Sequence, residues 1–361
     1  MTAPRKAKTK ARAPGERRRG GRAPDPGLDL EPEVVVVGGE RDEHALDVAT
    51  AVGARGARVL LLDLEPFPAL LPLALEGDAP LYRGFDLRCA RAVYVRSVHM
   101  RLPFYAVEMR AREGEGEGEG EGATSAASLL ESCHAAWALE RDRQSFLTAF
   151  VLAFERAGAR VVNPTASIDQ HFVKLDQLAI LRAAGVPVPR TLGANDPEAV
   201  RAFVAARRGR VVVKPLSGGA ACRRLLPSDL DAGRLRELAA APAIFQEEAP
   251  GRDVRVYAIG GRAVVAYEIE TDEVDFRGHE KAVREISLPR AIREACERAA
   301  GACGMPFTGI DVKVGEDGKF LVLECNPSPM FRGFERWTGR TAVTSALADY
   351  LVTEARRKER R

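Results

Sequence analysis

The sequence predicts an α/β protein, and three observations carry that reading. Val34–Val37 is an apolar run closed by Gly38-Gly39, and a helical pattern and a second apolar run follow it. That is a βαβ unit, which implies a parallel sheet with covering helices. From Lys174 onward, amphipathic helices and short strands alternate between Gly and Pro stops. Near the C-terminus two strand patterns flank Gly315-Glu316-Asp317-Gly318, a hairpin turn.

The elements follow in order. Residues 41–54 read as the first helix, Gly56 stops it, and Arg58–Leu64 returns as a strand. The turn after Val37 is Gly-Gly-Glu-Arg-Asp-Glu rather than G-x-G-x-x-G, and its acidic residues repel phosphate, so this unit is not expected to bind nucleotide. Residues 113–122 are five Glu-Gly pairs. Glycine has no backbone preference and the like charges repel, so they read as a flexible surface insertion. Helical spacing at 137–157 ends at Gly158 and leads into Arg160–Val162. Lys174–Ala184 is an amphipathic helix ended by Gly185, and Pro187 and Pro189 enforce an extended exit. Asp196-Pro197 starts a helix that runs to Arg208, with a capping side chain and Pro in the first turn. Val211–Lys214 is a strand entering Ser217-Gly218-Gly219. Ala243–Glu247 and Asp253–Tyr257 are further strands, and Gly260-Gly261 turns the latter into Arg262–Ile269. A helix at 290–303, strands at Gly309–Val314 and Phe320–Cys325, and a helix at 341–357 close the chain.

With 361 residues, 46% hydrophobic and 29% charged, the chain is long enough for two or three packed units. No apolar run is long enough to span a membrane, and no secretory signal precedes Gly38. Six scattered cysteines without a C-x-x-C pair fit a reduced, cytoplasmic protein and argue against zinc. Residues 1–24 carry nine positive charges against Glu16, a net +8. The total is +3, so the remainder is near −5. The tail reads as a disordered, solubilising extension. It has no aromatics to stack bases, which argues against nucleic acid as a partner.

The chemistry concentrates in the last hairpin. Pairing its strands around a four-residue turn sets Asp311 opposite Val322 and Glu324 opposite Gly309. Alternation then puts Asp311, Glu324 and Asn326 on one face and Ile310, Val312, Val314, Leu321 and Leu323 on the core face. The two carboxylates are diagonal neighbours roughly 7–8 Å apart at the backbone. Two carboxylates and an amide oxygen suit Mg²⁺, which takes hard oxygen ligands and shares them with substrate phosphates. Lys214 ends a strand before a Gly loop whose bare amides suit a phosphate, and Lys174 opens a helix within reach of the same anion. In Gln246-Glu247-Glu248 and Asp253-Val254-Arg255, Glu suits a ribose hydroxyl and Arg255 a phosphate or carboxylate.

These motifs, in this order, resemble the ATP-grasp superfamily. They are Lys174-Leu-Asp-Gln-Leu with Gly185-Val-Pro-Val-Pro, Val-Val-Lys214-Pro, Gln246-Glu247-Glu248, Asp253-Val-Arg255, and Gly309-Ile-Asp311 with Glu324-Cys-Asn326-Pro327. The likeness runs from about Val162 to Leu351, and its nearest branch is the RimK-like ligases. Thr191-Leu-Gly-Ala-Asn195-Asp196-Pro197, Asp275-Phe-Arg277 and Trp337-Thr-Gly339 are similar to the microviridin-type peptide maturases, or graspetide synthetases. The resemblance implies an ATP-grasp fold of two α+β subdomains clasping ATP (about 187–250 and 251–352) within 163–357. A Rossmann-like pre-ATP-grasp domain at 33–162 and a basic tail at 1–32 would precede it. It further implies Lys174 and Lys214 on the α/β-phosphates, and Gln246, Glu247, Glu248 and Asp253 around adenine and ribose. Asp311, Glu324 and Asn326 would hold two Mg²⁺ ions, with Mn²⁺ an acceptable substitute. Arg255 and Arg277 would stabilise the transferring phosphoryl group and the acyl phosphate. The segment Pro327-Ser328-Pro329-Met330-Phe331 departs from the family pattern, as does the basic loop Ser217–Arg224.

The expected activity is ADP-forming ligation of a carboxylate to an amine or hydroxyl through an acyl phosphate, with ATP consumed. The favoured substrate is a ribosomal peptide closed by side-chain ester or amide bonds. Amino-acid or glutamate ligation to a protein or small molecule is the second reading, and a non-catalytic ATP-binding regulator the third. Such folds often form homodimers, though no self-complementary patch is legible in the residues.

Overall fold

The computed structural model describes residues 31–39, 41–64, 66–96, 126–216 and 221–357, with only the helical backbone given for 126–133. Residues 1–30 of the basic tail, the Glu-Gly repeat and Ser217-Gly218-Gly219 lie outside the described residues.

Strand β1 (Val34–Val37) lies between β2 (Val59–Leu62) and β6 (Ala92–Val95), and β6 pairs with β7 (Arg160–Val162). All pairs are parallel, as the leading βαβ unit requires. Helix α1 (Glu43–Ala54) is capped by the Asp42 side chain, which accepts from His44 N. The reading at 137–157 was too short, because α2 spans Ala126–Arg156. Its early turns carry few large apolar residues, so the apolar spacing that marks a helix begins late. A small antiparallel sheet of β3 (Leu73–Glu76), β4 (Ala79–Tyr82) and β5 (Phe85–Asp86) gave no periodic signal over such short strands.

Helix α3 (Lys174–Ala183) leads into a second sheet ordered β10-β9-β11-β8. Its strands are β8 (Thr191–Ala194), β9 (Val211–Lys214), β10 (Arg223–Arg224) and β11 (Ala243–Glu247). Helix α4 (Pro197–Ala206) covers it, and Val200, Val204, Val211, Leu235, Leu238 and Phe245 form a core of their own. The largest sheet is antiparallel, in the order β14-β13-β12-β15-β16. These are β12 (Arg252–Ile259), β13 (Arg262–Glu270), β14 (Ala282–Ile286), β15 (Phe307–Val314) and β16 (Phe320–Asn326). Gly260 and Gly261, at φ 59° and 80°, make the two-residue β12–β13 turn that favours two left-handed residues.

The large sheet is buried on both faces. Val254, Val256, Ala258, Ile310 and Val312 point to α3 and α5 (Arg290–Ala302). On the opposite face, one end carries Tyr257, Ile259 and Phe307. These join Phe331 before α6 (Arg332–Thr338), Leu347 and Leu351 of α7 (Ala342–Arg356), and β1 and α1 in one continuous core.

The last hairpin departs from the expected register. Gly315 N donates to Lys319 O at 2.8 Å and Gly318 stands at φ 77°, so the turn holds three residues between its closing pair. Val314 therefore faces Phe320 and Val312 faces Val322. A β-bulge then lets Asp311 face Glu324 and Gly309 face Asn326. Phe320 and Val322 consequently take the core positions assigned above to Leu321 and Leu323. The bulge turns Glu324 and Asn326 back to the face of Asp311, so the conclusion about that face stands although the pairing behind it does not.

Candidate active site

Alternation along β12 and β15 builds the site. Asp253, Arg255 and Tyr257 share one face of β12, opposite Lys313, Asp311 and Gly309 of β15. With β16 added, Arg255, Asp311 and Glu324 form a row across three strands, and Tyr257, Gly309 and Asn326 the next. The aromatic end of this face is core. The charged end opens into a cleft facing β9 and β11 of the second sheet.

All eleven site residues expected from the sequence line this one cleft: Lys174, Lys214, Gln246, Glu247, Glu248, Asp253, Arg255, Arg277, Asp311, Glu324 and Asn326. Arg255 Nε stands 2.7 Å from Asp311 Oδ1, with both side chains largely buried. Burial pushes the Asp311 carboxyl up to about 6, against the opposing pull of Arg255. Glu324 Oε2 accepts from Lys174 Nζ at 2.7 Å. Burial acts to raise Glu324, but Lys174 first, then Lys214 and Arg255, outweigh it and hold the carboxyl at about 2. Burial lowers Lys214, whose ammonium donates to Gln246 Oε1 at 3.1 Å. Gln246 in turn donates to Thr191 Oγ1, so both ends of its amide serve to aim Lys214. Glu247 Oε1 accepts from Arg190 N, and Glu248 Oε1 from Arg224 Nε at 2.8 Å. Arg277 is anchored by Asp275, whose Oδ2 also accepts from Cys222 N and thereby ties the end of the β9–β10 loop to the β13–β14 loop.

The structure adds residues that the sequence reading missed. Lys313 Nζ pairs with Asp253 Oδ2 at 2.7 Å, and the period of two from Asp311 was the signal for it. Gln177 Nε2 donates to Cys325 O and its Oε1 accepts from Cys325 N, pinning β16 between Glu324 and Asn326. Its position one turn after Lys174 gave no sequence clue. Cys222 and His171 also line the cleft.

Among the described residues, no group of three or more His, Cys, Asp or Glu side chains is arranged to hold a metal by itself. Two carboxylates and an amide oxygen form an incomplete, all-oxygen set, which suits Mg²⁺ completed by phosphate and water. Asp311 Oδ1 is buried beside Arg255 Nε without an aligned hydrogen bond.

Comparison with known proteins agrees with this geometry. Residues 173–351 match the RimK-like ATP-grasp domain. A probable alpha-L-glutamate ligase of Sodalis glossinidius (strain morsitans) is 30% identical over 226 residues, covering 59% of this chain and 74% of that protein. A similar protein of Enterobacter sp. (strain 638), also a probable alpha-L-glutamate ligase, is 30% identical over 53% of this chain and 67% of its own length. Among solved structures, the ATP-grasp ligase PsnB, complexed with a phosphomimetic variant of its minimal precursor, Mg and ADP, superposes with a TM-score of 0.77 at 35% identity. It covers 91% of this chain and 100% of that one. The macrocyclase MdnC of Microcystis aeruginosa MRC, bound with precursor peptide MdnA, shares the fold with a TM-score of 0.69 at 22% identity, over 89% of this chain and 99% of that one. ATP-grasp ligases use ATP and Mg²⁺. By this likeness in sequence and fold, the chain belongs to the RimK-like ATP-grasp family and is an ATP-dependent, ADP-forming ligase.

Proposed function

We propose that this ligase modifies a ribosomal peptide, joining a side-chain carboxylate to a side-chain hydroxyl or amine. One observation carries the reading. PsnB, a ligase solved with its precursor peptide, superposes over 91% of this chain at 35% identity. A peptide substrate is the assignment that this likeness supports. Glutamate ligation remains the second reading, supported by the relatives' names.

In this proposal Lys174 and Lys214 hold the α/β-phosphates, and Gln246, Glu247, Glu248 and Asp253 surround adenine and ribose. Asp311, Glu324 and Asn326 hold Mg²⁺, two ions being expected. The ion neutralises charge on the phosphates when bound. Arg255 and Arg277 face the transferring phosphoryl group, stabilising charge as the substrate carboxylate oxygen attacks the γ-phosphorus and ADP leaves. The nucleophile then attacks the acyl carbon and phosphate departs. Positioning and electrostatics supply the catalysis, so no covalent side-chain nucleophile is required.

The test is incubation of the protein with ATP, Mg²⁺ and a precursor peptide encoded beside it, read by nucleotide analysis and peptide mass. Release of ADP with loss of one water per bond supports the proposal. A gain of one amino-acid residue supports glutamate ligation, and release of AMP overturns the acyl-phosphate route.

A further inference from the structure

The Pro327-Ser328-Pro329 segment is the part of the site that the roles above leave unused, and its geometry gives it one. Asn326 is the last residue of β16, with Gly309 as its cross-strand partner. Beyond it the chain leaves the sheet, and neither Pro327 nor Pro329 has an N–H. Ser328 N–H is therefore the sole backbone donor between Asn326 and Met330, and it donates to Asn326 Oδ1 at 2.9 Å. This bond holds the Asn326 amide in one orientation, with its oxygen on Ser328 N–H. It leaves that oxygen a second lone pair.

Ser328 is held from the parallel sheet. Arg96, directly after β6 and 9% exposed, donates through Nη1 to Ser328 O at 3.1 Å and to Ser328 Oγ. Ser328 Oγ donates back to Arg96 O at 2.6 Å. Arg96 is itself braced, its Nε standing 3.1 Å from Asp42 Oδ2 at the head of α1. Next to it, Asn163 after β7 donates to Pro327 O and Phe307 O and accepts from Phe307 N at 2.9 Å. Two adjacent strands of the parallel sheet, β6 and β7, thus grip the strand end at Pro327 and Ser328 through the residues that follow them.

We propose that Arg96 and Ser328 are positioning residues for Asn326, a bridge by which the N-terminal sheet sets the metal affinity of the ligase site. The proposal rests on Asn326 being a metal ligand, as assigned above. Outer partners that orient a ligand are worth about 10–100-fold in metal affinity. Removing the bridge loosens Ser328, whose N–H orients the Asn326 amide, without removing any ligand.

The experiment uses the full chain with ADP and Mn²⁺ as a spectroscopic stand-in for Mg²⁺, with bound Mn²⁺ read by electron paramagnetic resonance. ADP affinity without metal and the melting temperature are measured in parallel. Ser328→Ala and Arg96→Ala should weaken Mn²⁺ binding by about tenfold while metal-free ADP affinity stays unchanged. Ser328→Thr, which keeps the hydroxyl, should restore wild-type binding. Arg96→Lys should restore it only in part, because an ammonium cannot reproduce the fork across Ser328 and Asp42. If Ser328→Ala binds Mn²⁺ as tightly as wild type, the bridge has no positioning role and the proposal fails. If Ser328→Thr is as weak as Ser328→Ala, the effect is steric and the proposal fails as well. Asn326→Ala separates the two assignments: unchanged Mn²⁺ binding in that variant sinks the ligand role itself, whatever the bridge variants show.

Discussion

His44 stands in surroundings that oppose its charge. It is buried, packs edge-on to Phe331 with ring centroids 4.5 Å apart, and leaves Nδ1 without a hydrogen bond. Burial first, then Arg96, lower its pKa to about 4, with Arg332 adding to them and Asp42 and Glu43 pulling the other way. The unfolded chain takes up this proton near pH 6.5 and the folded chain only near 4, so stability is lost as pH falls through that window. The slope is at most about 1.4 kcal/mol per pH unit. Chemical denaturation at stepped pH should show this decline, and His44→Leu should flatten it. A variant as steep as wild type would place the titration elsewhere. Asp311 makes a different point at the same scale. Asp311→Ala removes the partner of a buried guanidinium and should cost about 3–5 kcal/mol, beyond any loss of activity. Asp311→Asn keeps a hydrogen-bonding oxygen near Arg255 and should unfold later than the alanine variant while remaining inactive. Equal melting temperatures for the two would show that Arg255 finds another partner.

Elements show what the sequence could and could not tell. Lys174–Ala183, Pro197–Ala206 and the β12–β13 hairpin were legible because caps, glycines and prolines punctuate them. The face shared by Asp311, Glu324 and Asn326 was legible from alternation. Its register was not, because Val314 pairs with Phe320 and not with Lys319, and a bulge then restores the face. A bulge leaves no local mark: Leu323 continues the apolar run of Leu321 and Val322. The contacts of Gln177, Asn163 and Arg96 were equally hidden, since each spans well over a hundred residues of sequence. The same hairpin makes a further prediction. A Cβ on Gly309 would lie 2.6 Å from Pro329 Cβ and 2.7 Å from Arg255 Nη1. Gly309→Ala should therefore shift Pro329 or Arg255, costing about 1–3 kcal/mol of stability and most of the turnover. Turnover at the wild-type rate would mean that Arg255 tolerates displacement.

At the scale of the whole molecule, the cores are unequal. Tyr257, Tyr267, Phe307 and Phe331 are buried against β1, α1 and α7 in one core, so the parallel sheet and the large antiparallel sheet are packed as a unit. The second sheet keeps a small core of its own. A fragment beginning at residue 163 should expose Phe307 and Phe331, which lose Tyr94 and His44, and aggregate on expression. A soluble, monomeric fragment with a cooperative melt would refute the shared core.

The ion pairs of the cleft bear on the order of events. Before ligands arrive, Glu324 holds Lys174 and Asp311 holds Arg255. Under the proposed roles, nucleotide arriving alone would draw Lys174 away and leave a bare carboxylate facing phosphate. Metal arriving alone would leave two cations facing a third. Each binds weakly by itself, and by linkage each must raise the affinity of the other by the same factor. The cleft then acts as a coincidence detector, closing its circuit of charges only when nucleotide and metal are present together.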